Sequence, residues 1–154
     1  VPYFITSKKL GLLNTKFSLV GPHVAAAIPM SMMLIRNAMD EISDEMIEAS
    51  IIDGCPRRKV FTKMMLPLTK PAIATALIFA FMSSWNDYLL PLVMINRADE
   101  MTLTLLPQKF TAFAGVSNVG TIFASLVLLC VPIFIIYLFA QKYMVAGMAA
   151  GTIK

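Results

Sequence analysis

Residues 48–71 read EASIIDGCPRRKVFTKMMLPLTKP: an acidic small-residue segment, a Gly, a basic run and a Leu-Pro, set between two strongly apolar stretches. The residues leading into it have helical spacing. Glu41, Asp44, Glu45 and Glu48 follow i, i+3, i+4, i+7 and form an acidic stripe, while Ile42, Met46 and Ala49 repeat with the same period on another face. Ser43 is placed to cap this helix, with Asp44 and Glu45 in the first turn, where the helix dipole favours negative charge. Gly54 predicts its C-terminal stop and Pro56 blocks easy continuation. RRKVFTKMMLP then predicts a second short helix, with Val60, Phe61, Met64 and Met65 as apolar contacts and Leu66-Pro67 ending it. Between Arg36 and Lys70 six acidic residues face six basic ones, so the loop is not a simple polybasic lipid anchor. A solvated hairpin between two spans explains the amphipathic pattern. It does not explain the small pair Ala49-Ser50 beside Glu48 and followed by Asp53-Gly54.

The sequence around this insert is that of a membrane protein. Of 154 residues 58% are hydrophobic and 14% charged, with a mean hydropathy of +0.74, far from the ordinary soluble mixture. Residues 17–35, 71–95 and 121–140 each approach the roughly 20 apolar residues a helix needs to cross a bilayer core. The expected fold class is therefore all-α, a polytopic membrane helical bundle. Lys and Arg number six in 36–70 and two in 141–154, against three in 1–16 and two in 96–120. The positive-inside rule puts the hairpin and the tail in the cytoplasm, although the Lys8-Lys9 pair pulls the other way. The first residue is Val1, and VPYFI reads as the tail of a preceding segment rather than a signal peptide. The chain thus reads as a fragment, and a solute pathway needs further helices or a partner subunit.

Gly11 and Asn14 in KKLGLLNTK are turn formers. The segment from Asn96 to Gly120 is longer than a tight hairpin needs and mixes Leu, Phe and charge, which predicts that it folds onto something, either as a cap or as a docking loop. Cys55 and Cys130 lie in a polar loop and inside an apolar stretch, so no disulfide framework is expected. Pro22, Pro29, Pro91 and Pro132 interrupt the apolar stretches, Pro132 freeing the carbonyl of Leu128 from its helical bond. The net charge of +4 is spread through the loops and fits membrane topology better than nucleic-acid binding.

FMSSWNDYLLP places Ser83, Ser84, Asn86 and Asp87 at or near membrane depth. A carboxylate there costs about 2.5–3.5 kcal/mol on insertion scales, so Asp87 requires a partner or water. Two readings stand side by side. In one, Asn86 and Asp87 tie helices together while Trp85 and Tyr88 mark an interface. In the other, Ser83, Trp85, Asn86, Asp87 and Tyr88 line a translocation pathway, an aromatic ring stacking on a sugar while polar groups bond its hydroxyls. His23 carries the same ambiguity, and as the only His it cannot build a metal site alone. A membrane hydrolase built on Asp87 lacks a second catalytic group, since Asn86 is no base and His23 falls on another helix.

EASIIDG, nine residues, then MMLP resembles the EAA signature of permeases in binding-protein-dependent ABC importers: Glu-Ala-Ala, three residues, Gly, nine residues, Ile-x-Leu-Pro. Here Ser50 stands for the second Ala and Met64 for Ile, both preserving size class, and Cys55 replaces the small residue usual after the Gly. KLGLLNT, SSWNDYLLPL and QKYMVAGMAAGTIK are similar to the sugar-transporting branch, especially the smaller maltose-type permease subunit. The resemblance implies the type I ABC importer permease fold, with the end of one span followed by spans at 17–35, 71–95 and 121–140, a coupling loop at 36–70, an outer loop at 96–120 and a cytoplasmic tail at 141–154. It implies that Glu48, Ala49, Ser50, Asp53, Gly54, Leu66 and Pro67 couple the subunit to a cytosolic ABC ATPase dimer. It also implies a second permease subunit, an extracytoplasmic solute-binding protein met by the outer loop, and a sugar as cargo. ATP hydrolysis would belong to the partner, no phosphate-binding loop being present, and no cofactor is implied. The implied location is a bacterial or archaeal inner membrane. The competing expectations are a permease for a non-sugar solute, a nonfunctional truncated remnant, and the hydrolase.

Overall fold

The computed structural model describes residues 2–112 and 119–150. Among them every regular element is helical: α1 (Pro2–Lys9), α2 (Phe17–Asp40), α3 (Asp44–Ile52), α4 (Arg57–Val60), a π turn (Phe61–Met65), α5 (Leu66–Leu68), α6 (Lys70–Trp85), α7 (Leu89–Met94), a 3₁₀ turn (Leu103–Leu105), α8 (Leu106–Ala112) and α9 (Val119–Ala150). The residues group into two compact units, one of 1–26 with 81–138 and one of 27–80 with 139–154. Residues 113–118 of the expected outer loop and 151–154 of the tail lie outside the described residues.

Among the described residues two helices are long and apolar enough to cross a membrane, Phe17–Asp40 and Val119–Phe139. Their side chains are mostly exposed: Met32 and Met33 on α2, and Phe134 and Phe139 on α9, each present more than half their surface. Such surface suits lipid or other helices rather than water. Arg57–Leu68 and Lys70–Trp85 pass the same test only as a pair bent by 63°.

The stretch 71–95 is not one uninterrupted helix. Helix α6 ends at Trp85, and α7 begins at Leu89. The break has a local cause in Asn86 and Asp87, whose short polar side chains compete with the helical ladder. The Asn86 amide donates back to the Met82 carbonyl at 2.9 Å, and the Asp87 carboxylate accepts from the Leu90 N–H at 3.3 Å, restarting the chain as α7.

Leu66-Pro67 does not end the second hairpin helix; α5 continues through Pro67 to Leu68. Proline lacks the N–H of an α-helical bond and crowds the carbonyl four residues back. The chain accommodates it by widening: the Leu66 N–H reaches the Phe61 carbonyl across a π turn, and Pro67 enters in the first positions of a new helical turn. The bend follows at Thr69, which is fully buried. Its hydroxyl donates to the Leu66 carbonyl at 3.1 Å.

Within the first unit, Leu19, Met94 and Ile95 form a small buried core, with Phe4, Leu13, Leu90 and Met101 packed against it. The connection from α1 to α2 turns at Gly11 and Asn14, both with positive φ. Asn14 also clasps the end of α7: its N–H donates to the Met94 carbonyl at 3.0 Å, and its side-chain oxygen accepts from the Asn96 N–H at 2.7 Å. Cys55 and Cys130 are both free and exposed.

Candidate functional site

Two sets of residues carry chemistry, one in each unit. The first is the hairpin of the second unit. Ser43 occupies the cap position of α3, but its side chain makes no capping bond; its carbonyl instead accepts from the Met46 and Ile47 N–H groups. The far end closes more completely. Gly54, at φ +83°, lets its own N–H reach the Ile51 carbonyl at 3.0 Å while the Cys55 N–H reaches the Ser50 carbonyl at 3.1 Å. This paired closure is a Schellman motif, and it satisfies two carbonyls that a helix end otherwise leaves open.

The returning arm packs against α3 through Val60, which is buried, and through Ser50. The Ser50 hydroxyl lies 2.9 Å from the Met46 carbonyl and 3.2 Å from the Met64 sulfur, so one proton is shared between a local and a cross-arm acceptor. Ser50 and Met64 are two of the three positions, with Cys55, at which the chain departs from the EAA signature. They touch each other.

Glu48, Ala49, Asp53 and Gly54 are all exposed, as are the apolar Met46, Ile51 and Ile52, the last at 85%. Leu66 is exposed on the exit arm and Pro67 beside it. Among the described residues, Asp44, Glu45, Glu48 and Asp53 form no ion pair. A shallow groove of about 360 Å³ between the arms carries Asp44 and Glu48 on one side and Arg57 on the other. The hairpin thus presents a closed helix whose four acidic side chains form no ion pair among the described residues and whose Met46, Ile51 and Ile52 are exposed.

The second set surrounds Asp87 in the first unit. Its Oδ2 stands 3.5 Å from His23 Nε2, its Oδ1 accepts from the Leu90 N–H, and its backbone carbonyl accepts from the Thr104 hydroxyl at 3.0 Å. The partner that burial demanded of Asp87 is therefore His23, and separation on different helices does not keep the two apart. Trp85 stacks on Phe81 with ring centroids 5.5 Å apart. Its indole N–H donates to the Leu129 carbonyl at 3.1 Å, one residue beyond the carbonyl that Pro132 frees.

The Tyr88 hydroxyl bonds Gln108 at 2.8 Å. Ser83 and Asn86 are exposed and do not line the cavity of about 500 Å³ that includes His23, Ser84, Trp85 and Asp87. Of the five pathway candidates in this stretch, Trp85 and Asp87 are brought together in that cavity. Beyond it, Arg97 grips Asp99 through two bonds, of 3.2 and 2.6 Å, and the donated guanidinium hydrogen bonds hold the Asp99 carboxyl below its ordinary value. His23, Thr104 and Asn14 matter more to this geometry than the sequence indicated. The one available signal was the need of Asp87 for a partner and the presence of a single His.

Residues 3–150 match the family described as binding-protein-dependent transport system inner membrane component. The chain belongs to that family. Similar proteins include the arabinooligosaccharides transport system permease protein of Halalkalibacterium halodurans, 34% identical over 155 residues, covering all of this chain and 54% of the relative. The diacetylchitobiose uptake system permease protein of Streptomyces coelicolor is 31% identical over 158 residues, covering all of this chain and 51% of the relative. A maltodextrin transport system permease protein of Bacillus subtilis is 29% identical over 152 residues, covering 99% of this chain and 55% of the relative. The chain spans about half the length of the curated relatives it matches. As a member of the family it is an inner-membrane transport component, and its all-α fold is that of the type I importer permeases.

Proposed function

We propose that this permease-family chain contributes to an ATP-driven importer of a sugar or oligosaccharide, and that the hairpin from Glu48 to Pro67 couples it to a cytosolic ATPase. The observation that carries the coupling role is the hairpin itself. Its leading helix is closed by a Schellman turn at Gly54, yet Glu48 forms no ion pair among the described residues and Ile52 is 85% exposed. A short, rigid, amphipathic helix of this kind is suited to seating in a groove of another protein. An exposed carboxylate at its centre would orient the seat more than strengthen it.

On this reading Glu48 meets a basic group of the ATPase, and Ala49 allows close approach. Ser50 ties the helix to the exit arm through Met64, while Gly54 fixes the angle between the arms. Leu66 and Pro67 carry displacement of the hairpin into the span that begins at Lys70, the π turn and the Thr69 bend being the points where the path redirects. Closure of two ATPase subunits would then move the hairpin as a body and bias the permease pair between two arrangements. ATP chemistry lies in the partner. A second permease subunit completes the pathway, and a solute-binding protein delivers cargo to the segment beyond Asn96.

The sugar class is supported by relatives whose names specify arabinooligosaccharides, diacetylchitobiose and maltodextrin. The test is reconstitution of the full-length protein with its partner subunits and binding protein in proteoliposomes. ATP-dependent uptake of at least one of these sugars is expected, with Glu48→Lys weakening ATPase retention while membrane insertion stays intact. Unchanged retention in Glu48→Lys would count against the coupling role, and absence of uptake for all three sugars against the cargo class.

A further inference from the structure

The cavity beside Asp87 has the size and lining of a small-molecule site. At about 500 Å³ it falls in the range of roughly 300–1,000 Å³ usual for ligand pockets, which combine apolar walls with a few convergent polar groups. Leu19, Pro91 and Leu103 supply apolar wall, and Trp85 an aromatic one. Phe81 stacks against the indole, whose N–H donates to the Leu129 carbonyl, two contacts that fix its position. Thr102 and Thr104, whose hydroxyl oxygens are 2.9 Å apart, line the same space together with Lys16, His23, Ser84 and Asp87.

Asp87 already has neighbours within the chain, one carboxylate oxygen accepting from the Leu90 N–H and the other lying 3.5 Å from His23 Nε2. Lys16 stands 3.9 Å from Glu100, a loose and largely solvent-exposed pair. The lining thus offers hydroxyl, imidazole and carboxylate groups beside an aromatic ring held by two contacts. Such a surface matches a neutral solute with many hydroxyls and an apolar ring face. We infer that this subunit itself contacts the transported sugar, in the cavity framed by Trp85, His23, Asp87, Thr102 and Thr104.

The inference rests on the sugar-import reading but goes further, because import by a pair of subunits does not require this one to touch the cargo. Its test uses the full-length protein in the assembled transporter, with Cys55→Ser and Cys130→Ser removing the two cysteines described above. Val24→Cys then places a thiol in the cavity lining at a half-exposed position, and Val119→Cys places a control at the exposed start of α9. N-ethylmaleimide labelling is followed with and without a maltodextrin, an arabino-oligosaccharide, diacetylchitobiose or glucose 6-phosphate.

At a sugar concentration about ten times its half-saturating value, occupancy should slow labelling at position 24 about tenfold, since the unoccupied fraction falls as one over one plus that ratio. The rate at position 119 should not change, and glucose 6-phosphate should protect neither position. Uptake without selective protection of position 24 overturns this inference while leaving the import reading intact, as does equal slowing at both positions, which reports a global rearrangement. Protection by glucose 6-phosphate equal to that by the neutral sugars overturns the neutral class. Failure of the wild-type transporter to take up any of the three sugars overturns the import reading and this inference with it.

Discussion

Replacing Gly54 by Ala isolates the contribution of one backbone conformation to the hairpin. Gly54 has φ +83°, and a Cβ added there meets nothing within 4 Å. The substitution therefore introduces no clash, and its cost is the left-handed backbone alone, about 1–2 kcal/mol for a residue with a Cβ. Relaxing that strain means opening the Schellman turn, with loss of the bonds from Gly54 to Ile51 and from Cys55 to Ser50. If docking needs the closed turn, the binding-competent fraction falls and the apparent dissociation constant rises in inverse proportion, by up to about 5- to 30-fold for this energy. Gly54→Asn should recover part of the loss, because Asn tolerates the left-handed region better than Ala.

Gly11 supplies the control. It has φ +68° and equally open surroundings, so Gly11→Ala carries a similar backbone cost, but in the connection between α1 and α2. The assay is titration of the purified ATPase subunit against the full-length permease in nanodiscs. Selective weakening by Gly54→Ala is expected. Equal affinity for Gly54→Ala and wild type, or equal weakening by both Ala variants, would refute the argument that the Gly54 turn preorganises a docking helix.

Other consequences follow from contacts described above. Trp85→Phe removes the indole donor to the Leu129 carbonyl while keeping an aromatic ring, and should lower stability of the purified protein by about 1 kcal/mol in thermal unfolding. Asp87→Ala, which removes both the Leu90 acceptor and the His23 partner, should destabilise by about 1–2 kcal/mol, and Asp87→Asn, which keeps a side-chain acceptor, by less. Restoring the signature pair with Ser50→Ala and Met64→Ile should give a coupling energy of about 1 kcal/mol or below in a double-mutant cycle, the two singles together costing more than the double variant. The Asp99 carboxyl should titrate below an ordinary aspartate in a carboxyl-resolved NMR experiment, and Arg97→Ala should return it upward. Because its folded value is depressed, any stability it confers is present above the unfolded value and is lost as pH falls through the folded one.

The parts of the fold legible in the sequence are those set by local chemistry. The acidic spacing before Gly54 marked α3, and the Asp-Gly-x-Pro run marked its end. Gly11 and Asn14 marked a turn, and two long apolar runs marked α2 and α9. Where the reading fell short, two local rules competed. Hydrophobicity made 71–95 look continuous, while Asn86 and Asp87 ahead of Leu90-Pro91 carried a helix-restart signal that the apolar count outweighed. Pro67 was read as a stop because the usual α-helical bond is impossible there. A π turn offers another route that composition does not reveal.

The candidate sites divide along the same line. Exposure of Glu48 and Ala49 follows from their place on an amphipathic hairpin. The pairing of His23 with Asp87, the bond from Thr104 to the Asp87 carbonyl and the clasp of Asn14 on Asn96 join residues far apart in sequence. Periodicity carries no information about such pairs. The cost of placing a carboxylate at membrane depth could require a partner for Asp87, but only the tertiary arrangement could choose it.

The central claim is that α3 seats on an ATPase and transmits its cycle. The most direct measurement is site-specific cross-linking from Ala49→Cys, exposed on that helix, to single cysteines introduced around the surface of the ATPase subunit in the assembled full-length transporter. The account predicts efficient cross-linking to one contiguous ATPase groove, with a yield that changes between the nucleotide-free and ATP-bound states, and none to the same cysteines from Val119→Cys. Cross-links scattered over the ATPase surface, or none from position 49 in a complex that still transports, would contradict it.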